Sequence, residues 1–189
     1  MLAQEKSNPK RMSAENPQIM ICAPYTAPCG VLLLGTIDNR LCLCDWQASR
    51  NYDGFLVDVE ERFHAECRNG ECETLTRATQ QLDEYFAGQR KTFDLHLDVD
   101  GSFFQNLVWS ELLQIPFGET RSYAEVAQRV GRPRAMRAVA NACGANPLSL
   151  FIPCHRVIRS DGSPGGYAGG LQEVKGWLLE WERSLAKGK

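Results

Sequence analysis

This 189-residue chain lacks several features, and each absence excludes a class of protein. No apolar run approaches the ~20 residues that a transmembrane helix needs, so the sequence does not predict a membrane-spanning protein. The polar segment 1–17 lacks the apolar core of a secretory signal and indicates a disordered tail. There is no internal repeat and no low-complexity block, which excludes a repeat architecture. We therefore expect a cytoplasmic protein, or a nuclear one in a eukaryote.

Cysteine, by contrast, is plentiful, with eight residues. In a chain that is not exported, this number indicates reduced thiols and not a disulfide framework. A zinc site is the alternative for one subset, because cysteine and histidine are the usual zinc ligands. That subset consists of Cys42, Cys44, His64, Cys67 and Cys72.

The charge is unevenly distributed along the chain. Residues 1–100 carry 10 Lys and Arg against 16 Asp and Glu, a net charge of −6. Residues 101–189 carry 11 against 7, a net charge of +4. A basic half is typical of a protein that binds a polyanion, and a solvated helix face is the alternative. The arginines that support this reading fall close together: Arg121, Arg129, Arg132, Arg134 and Arg137.

The first half predicts a small α+β domain over residues 18–98. Two apolar runs, Gly30–Ile37 and Arg40–Trp46, flank Asp38-Asn39 and predict a β-hairpin. A first strand is expected at residues 19–22, and residues 47–73 read as loops with a short strand or helix. Helical spacing predicts a helix over residues 75–87, and residues 93–97 alternate as a returning strand would.

The second half, residues 99–186, predicts a mainly helical domain. Ser102 can cap a helix over residues 103–113, and Ser122 with Glu125 fits a capping box for a helix over residues 123–130. An alanine-rich helix follows at residues 134–143, so the outline is that of a helix-turn-helix. An amphipathic helix with Leu171, Val174, Trp177, Leu178 and Trp181 inward ends the chain.

The chemistry concentrates in residues 146–157. An apolar run, Leu148–Ile152, leads to Pro153, which stiffens the backbone that presents Cys154. A free thiol is only a few per cent ionised at neutral pH, and a neighbouring base or positive charge makes it reactive. His155 can supply the base and Arg156 the positive charge. A buried structural cysteine is the alternative reading.

The string Ile-Pro-Cys-His-Arg-Val, preceded by Asn146-Pro147 and followed by Gly166-Tyr167-Ala168-Gly169-Gly170-Leu171, resembles the O6-alkylguanine-DNA alkyltransferases. The resemblance runs from about Phe103 to Glu182. It implies an N-terminal ribonuclease-H-like α/β domain with a small antiparallel sheet and a C-terminal winged-helix domain. Some members carry a structural zinc in the N-terminal domain, but the cysteine spacing here does not match that pattern cleanly. We therefore predict no cofactor and no metal.

The same resemblance implies a site. Cys154 would be the nucleophile and permanent alkyl acceptor, and His155 would be its base, acting through a water. Glu182 would hold the imidazolium, with Glu180 as its competitor along the chain. Asn146 would orient the motif turn, and Tyr123 would donate a proton to the departing guanine.

Double-stranded DNA is the partner that the resemblance implies, contacted in the minor groove by a monomer that flips the damaged nucleotide out. Arg137 would fill the vacated stack, and Ala140 and Asn141 stand where glycines are common in the family. Ala168 stands where some relatives have a serine that donates to O6, so either a backbone N–H serves here or O6 recognition is weaker. The small residue would also widen the tolerance for larger alkyl groups. The expected DNA contacts are Arg134, Arg137, Ser122 and Ala138, and the expected pocket residues are Tyr167, Val157, Ile158 and Ala168.

Two other functions remain open. A recognition protein would bind alkylated bases without removing the alkyl group, but such relatives usually have tryptophan in place of the motif cysteine. A Cys-His hydrolase would turn over, although the sequence shows no evident oxyanion arrangement and the arginine-rich helix would go unexplained.

Overall fold

The computed structural model describes residues 16–187, which fall into two units. The first unit holds the described residues up to Gln47 and Asn51–Asp100, and the second holds Ala48–Arg50 and the described residues from Gly101 onward. Most of the predicted N-terminal tail lies outside the described residues. Within residues 16–187, none of the helices has the length and apolar character to cross a membrane.

A four-stranded sheet is the centre of the first unit. Its strands are β1 (Gln18–Ala27), β2 (Gly30–Ile37), β3 (Arg40–Trp46) and β4 (Ala65–Asn69), in the order β3-β2-β1-β4. The first three pair antiparallel, as expected, whereas β4 pairs parallel to β1, so the small sheet is mixed. Helix α1 (Tyr52–Phe63) explains the difference, because a crossover between β3 and β4 lets the chain return in the same direction.

The structure confirms the predicted hairpin and the predicted helix of this unit, but not the predicted last strand. Asp38 and Asn39 both have positive φ, 48° and 60°, as a type I′ hairpin requires. Helix α2 (Glu73–Phe86) buries Leu75, Leu82 and other residues at helical spacing. The segment expected to return to the sheet makes only one isolated bridge, between Leu41 and Leu97.

Two cysteines of this unit correct the prediction of reduced thiols. Cys22 on β1 and Cys67 on β4 form a disulfide, with their Cα atoms 6.0 Å apart. The pairing of β4 beside β1 brings them together, and sequence spacing does not reveal it. Cys67 belongs to the candidate zinc set, and in the described part of the chain no three His, Cys, Asp or Glu side chains are grouped as metal ligands.

The second unit is mainly helical, as predicted. Its elements are α3 (Phe103–Leu112), β5 (Arg121–Ser122), α4 (Tyr123–Arg129), α5 (Met136–Gly144), a 3-10 helix (Cys154–Arg156), β6 (Val157–Ile158) and α6 (Gln172–Lys187). Ser102 and Ser122 both form capping boxes, and β5 pairs parallel to β6. Helix α5 begins two residues later than predicted, because the amide of Ala135 closes a turn on the carbonyl of Arg132 at 2.8 Å. The Trp109 indole donates to the Ala142 carbonyl at 2.8 Å and ties α3 to α5.

Candidate active site

The segment before Cys154 is a buried loop that hydrogen bonds hold in place. The Asn146 side chain donates from Nδ2 to the Ile152 carbonyl at 2.9 Å and accepts from the Leu148 amide at 3.1 Å. Leu148 and Ile152 are fully buried, and their backbones bond to each other at 2.8 Å. Asn146 therefore closes the turn that presents Cys154 at the start of the 3-10 helix.

Cys154 faces a cleft of about 620 Å³ in the second unit. Its side chain is only 5% exposed, so a reactant must enter the cleft to reach the sulfur. The walls come from α4, α5 and the glycine-rich segment that precedes α6. They include Tyr123, Arg137, Cys143, Arg159, Tyr167 and Ala168.

His155 lies on the buried side of the motif, with none of its surface exposed. Its Nε2 lies 2.9 Å from Oε1 of Glu182 on α6. Its Nδ1 is buried and has no hydrogen-bond partner among the described residues. Glu180, the competing carboxylate, is exposed on the same helix. One imidazole nitrogen is thus anchored, and the other can exchange a proton.

The Glu182 carboxylate accepts hydrogen bonds from four donor groups and is only 1% exposed. Besides His155, the Arg156 guanidinium donates to it from Nε at 3.0 Å and from Nη2 at 2.8 Å, and the Gly118 amide donates at 3.0 Å. Arg156 also donates from Nη1 to the Ile115 carbonyl at 2.7 Å. Sequence reading placed Arg156 as a charge next to the thiol, but the structure pairs its guanidinium with Glu182.

The electrostatics of this group define its resting state. Burial alone would raise the pKa of Glu182, but the charges and hydrogen bonds of His155 and Arg156 outweigh burial and hold that pKa well below its usual range. Complete burial lowers the pKa of His155, and the charges of Arg156 and Lys175 lower it further against the opposing effect of Glu182. We conclude that Glu182 is ionised and His155 neutral at neutral pH, which leaves the imidazole able to accept a proton.

Lys175 is a site residue that sequence reasoning missed. It is fully buried on α6, and its Nζ donates to the Val157 carbonyl at 2.5 Å and to the Gly166 carbonyl at 3.3 Å. Burial holds the pKa of Lys175 below its ordinary value, and attraction to Cys154 and Cys143 offsets only part of that lowering. A buried ammonium beside the thiol favours its ionised form.

Lys175 also corrects the predicted face of the last helix. The buried residues of α6 are Lys175, Leu178 and Glu182, spaced three and four residues apart. The expected apolar face is displaced, because Trp177 is 37% exposed and stacks on Trp181 at 5.7 Å. The sequence did contain a signal for this face. Lys175 and Glu182 lie three residues before and four residues after Leu178, so all three fall on one side of the helix.

Tyr123 lines the cleft as a protonated phenol. Burial raises its pKa to about 12, with smaller contributions from Cys143 and Cys154. Its hydroxyl lies 3.5 Å from Nζ of Lys175, whose ammonium also sits 5.6 Å from the centre of the ring. The phenol therefore keeps its proton at neutral pH and can donate it to a group in the cleft.

The four expected pocket residues divide into two pairs. Tyr167 and Ala168 line the cleft, and Ala168 has a φ of 36°, in the region that favours glycine. Val157 and Ile158 pair with β5 and, in the described part of the chain, do not line the cleft. Val157 contributes its carbonyl to Lys175 instead.

The residues expected to contact DNA differ in their surroundings. Arg137 is exposed and lines the cleft, and Arg134 and Ala138 are exposed in and beside the first turn of α5. The Ser122 hydroxyl is occupied by its capping box with Glu125, at 2.8 Å and 3.1 Å. Of the other arginines, Arg129 pairs with Glu111 at 3.6 Å.

Two family models match this chain, one in each half. A model of the "6-O-methylguanine DNA methyltransferase, ribonuclease-like domain" matches residues 20–99, and a model of its DNA binding domain matches residues 103–184. The methylated-DNA–protein-cysteine methyltransferase, constitutive, of Bacillus subtilis (strain 168) is 42% identical over 86% of this chain and 94% of its own length. The chain belongs to the 6-O-methylguanine DNA methyltransferase family.

Other family members extend the match. The methyltransferase of Mycobacterium leprae (strain TN) is 41% identical over 86% of this chain and 92% of its own. The crystal structure of Mycobacterium tuberculosis O6-methylguanine methyltransferase is 38% identical and superimposes with a TM-score of 0.75 over 90% of this chain and 96% of its own. The same mycobacterial protein has been solved in complex with DNA, and that structure superimposes with a TM-score of 0.73 over 88% of this chain and 94% of its own.

Proposed function

We propose that this protein repairs O6-alkylguanine in DNA by transferring the alkyl group permanently to Cys154. The observation that carries the proposal is the thiol itself, nearly buried on the wall of a cleft, with an ionised Glu182 and a neutral His155 behind it. Membership of the methyltransferase family supports the same reaction.

The residues divide the chemistry between them. His155 takes the Cys154 proton on Nδ1, through a water, and Glu182 stabilises the imidazolium that forms. The thiolate attacks the alkyl carbon, a C–S bond forms, and the bond from carbon to O6 of guanine breaks. Tyr123 supplies a proton to the departing guanine. The thioether is stable, so each protein molecule acts once, and the nucleophile and base are side chains that need no cofactor.

DNA enters the proposal through α5. A base inside a duplex cannot reach a thiol that is 5% exposed, so the damaged nucleotide must flip out, at a cost of a few kcal/mol. Arg137, exposed at the cleft, would fill the vacated stack from the minor groove, and Arg134 would neutralise phosphate. The first turn of α5 has no side-chain cap, which leaves its amides available to phosphate oxygens. We propose a monomer that acts in the cytoplasm, or in the nucleus of a eukaryote.

The substrate range follows from the cleft wall. Ala168 offers no side-chain donor for O6, so a backbone N–H must serve. The small side chain leaves room for alkyl groups larger than methyl. A set of methylated and benzylated guanines tests this, and a strict preference for methyl would contradict it.

Mass spectrometry of the intact protein with an excess of O6-methylguanine duplex separates the candidate functions. The repair proposal predicts one added methyl group and one guanine restored per protein molecule. Continued turnover would indicate a hydrolase. Lesion-selective binding with no change in mass would indicate a recognition protein, and neither binding nor mass change would refute the DNA function altogether.

A further inference from the structure

One row of α5 side chains faces the cleft. Met136, Ala140 and Cys143 all line it, and their spacing of four and three residues places them on a single helix face. Exposure changes along the row. Cys143 is half-buried beside Cys154, whereas Ala140 and Met136 are exposed. Met136 therefore stands at the outer end of the row, in the first turn of the helix.

Met136 is an unusual residue for this position. Its side chain is 47% exposed, and its neighbours Arg134 and Arg137 are exposed cations. A single exposed apolar side chain is ordinary on a protein surface. This one, however, lies on the cleft wall next to Arg137, the residue that would enter the vacated stack. Its long flexible thioether would lose contact with water when DNA occupies the cleft.

We propose that Met136 is an apolar wedge that packs against the deoxyribose and base next to the extruded nucleotide. This inference rests on the proposed function and adds a second residue that holds DNA in its flipped form. Unstacked base faces and sugar C–H groups are apolar, and methionine is among the side chains that proteins insert at base steps from the minor groove. The thioether also makes favourable contacts with aromatic rings. Met136 would act on the DNA part of the substrate and not on the alkylated base.

Three substitutions and two substrates test the wedge. Met136→Ala removes the side chain, Met136→Gln keeps its length but makes it polar, and Met136→Leu keeps it apolar. Each variant reacts with an O6-benzylguanine duplex and, in the same preparation, with free O6-benzylguanine base. We expect the ratio of the duplex rate to the free-base rate to fall about fivefold to tenfold in the Ala and Gln variants, the size expected from losing part of a buried methionine. The Leu variant should stay close to wild type.

A second readout reports on DNA distortion directly. In a Cys154→Ser background, a 2-aminopurine beside the lesion should brighten on binding, and less so with Met136→Ala. A fall in duplex and free-base rates by the same factor would overturn the wedge, since it would place Met136 against the base itself or in the stability of α5. An unchanged ratio in the Ala variant would overturn it too. Wild-type protein that takes no alkyl group from either substrate would overturn the proposed function, and the wedge with it.

Discussion

The cysteines of the two units have the same side chain and very different surroundings. In the first unit, Cys42 and Cys44 are fully buried on β3, and Cys22 is bonded to Cys67. In the second unit, Cys154 lies on a cleft wall that also holds a phenol, with a buried ammonium, imidazole and carboxylate nearby. Burial in apolar surroundings raises the pKa of a thiol and makes it unreactive, whereas a nearby base or positive charge favours the reactive thiolate.

A second comparison lies within the cleft. Burial raises the pKa of Cys143 far above its usual range, and the nearby Cys154 raises it further. Cys143 therefore stays a thiol at neutral pH. Both thiols line the same cleft, so under the proposed function their positions relative to His155 and Glu182 would decide which sulfur reacts.

The largest effect should come from Cys154→Ser. The variant should lose alkyl transfer completely, because a serine hydroxyl has no ionised form at neutral pH to attack an alkyl carbon. Cys143→Ser is the matched control in the same cleft and should keep most of the rate. Transfer to benzylated duplex is the measurement, and a Cys143→Ser variant as inactive as Cys154→Ser would remove the distinction.

Glu182→Gln should damage both reaction and fold. The amide cannot stabilise the imidazolium, and loss of general-base catalysis slows a reaction by about 10²–10⁴-fold. It also leaves Arg156, which is 6% exposed, without its carboxylate. Breaking a buried ion pair costs about 3–5 kcal/mol of unfolding free energy. Urea unfolding and single-turnover kinetics measure the two effects, and the exposed neighbour, Glu180→Gln, should change neither.

Lys175→Met should slow the reaction less than Glu182→Gln does. The substitution keeps a long side chain but removes the ammonium that favours the Cys154 thiolate. We expect a fall of about tenfold to a hundredfold at neutral pH, in the range of a displaced active-site charge. Raising the pH should recover part of the rate, because hydroxide then ionises the thiol. A pH-independent loss would mean that Lys175 only supports the backbone at Val157 and Gly166.

The pH profile should reflect the lowered pKa of His155. Burial holds this pKa below the ordinary value of 6.5, so transfer should persist below pH 6.5 and fall only when the folded protein takes up the proton. The unfolding free energy should also decrease on acidification. The unfolded chain binds a proton at His155 near pH 6.5 and the folded chain does not, so unfolding free energy declines as pH falls through 6.5. Glu182 adds to the decline below its ordinary value of 4.5. Stability that rises on acidification from pH 7 would contradict this assignment.

The smallest effect on transfer should come from reducing the Cys22–Cys67 disulfide. The bond closes a loop of 45 residues in sequence, and such bonds stabilise proteins by about 2–4 kcal/mol. Dithiothreitol should therefore lower the urea midpoint of the first unit and leave the rate at Cys154 unchanged. Cys67→Ser should reproduce the lower midpoint, and a matching loss of transfer rate would link the two units in a way that we do not expect.

Local chemistry made much of the fold predictable. The Asp38-Asn39 turn, the Ser122 capping box and the spacing of α2 are all decided by neighbours within a few residues. The parallel pairing of β4 with β1 could not be predicted in this way, because it joins segments more than 40 residues apart. The disulfide depends on that pairing, so it could not be predicted either.

The motif and the family resemblance together named most of the residues at the site, including Glu182 and Tyr123 from outside the string. The positions of Cys154, His155 and Asn146 follow from one short string. Lys175 and the partner of Arg156 do not, because amphipathic patterning assigns charged residues to the solvent side of a helix. Here buried carbonyls and an opposite charge compensate them, which periodicity cannot reveal.

Peptide mapping across all eight cysteines, after reaction with an O6-methylguanine duplex, tests the central claim most directly. The account predicts a methyl group on Cys154 alone, with Cys143 in the same cleft unmodified. Methyl groups on Cys143, or spread over several cysteines in both units, would mean that exposure and not the charged surroundings of Cys154 decides which thiol reacts.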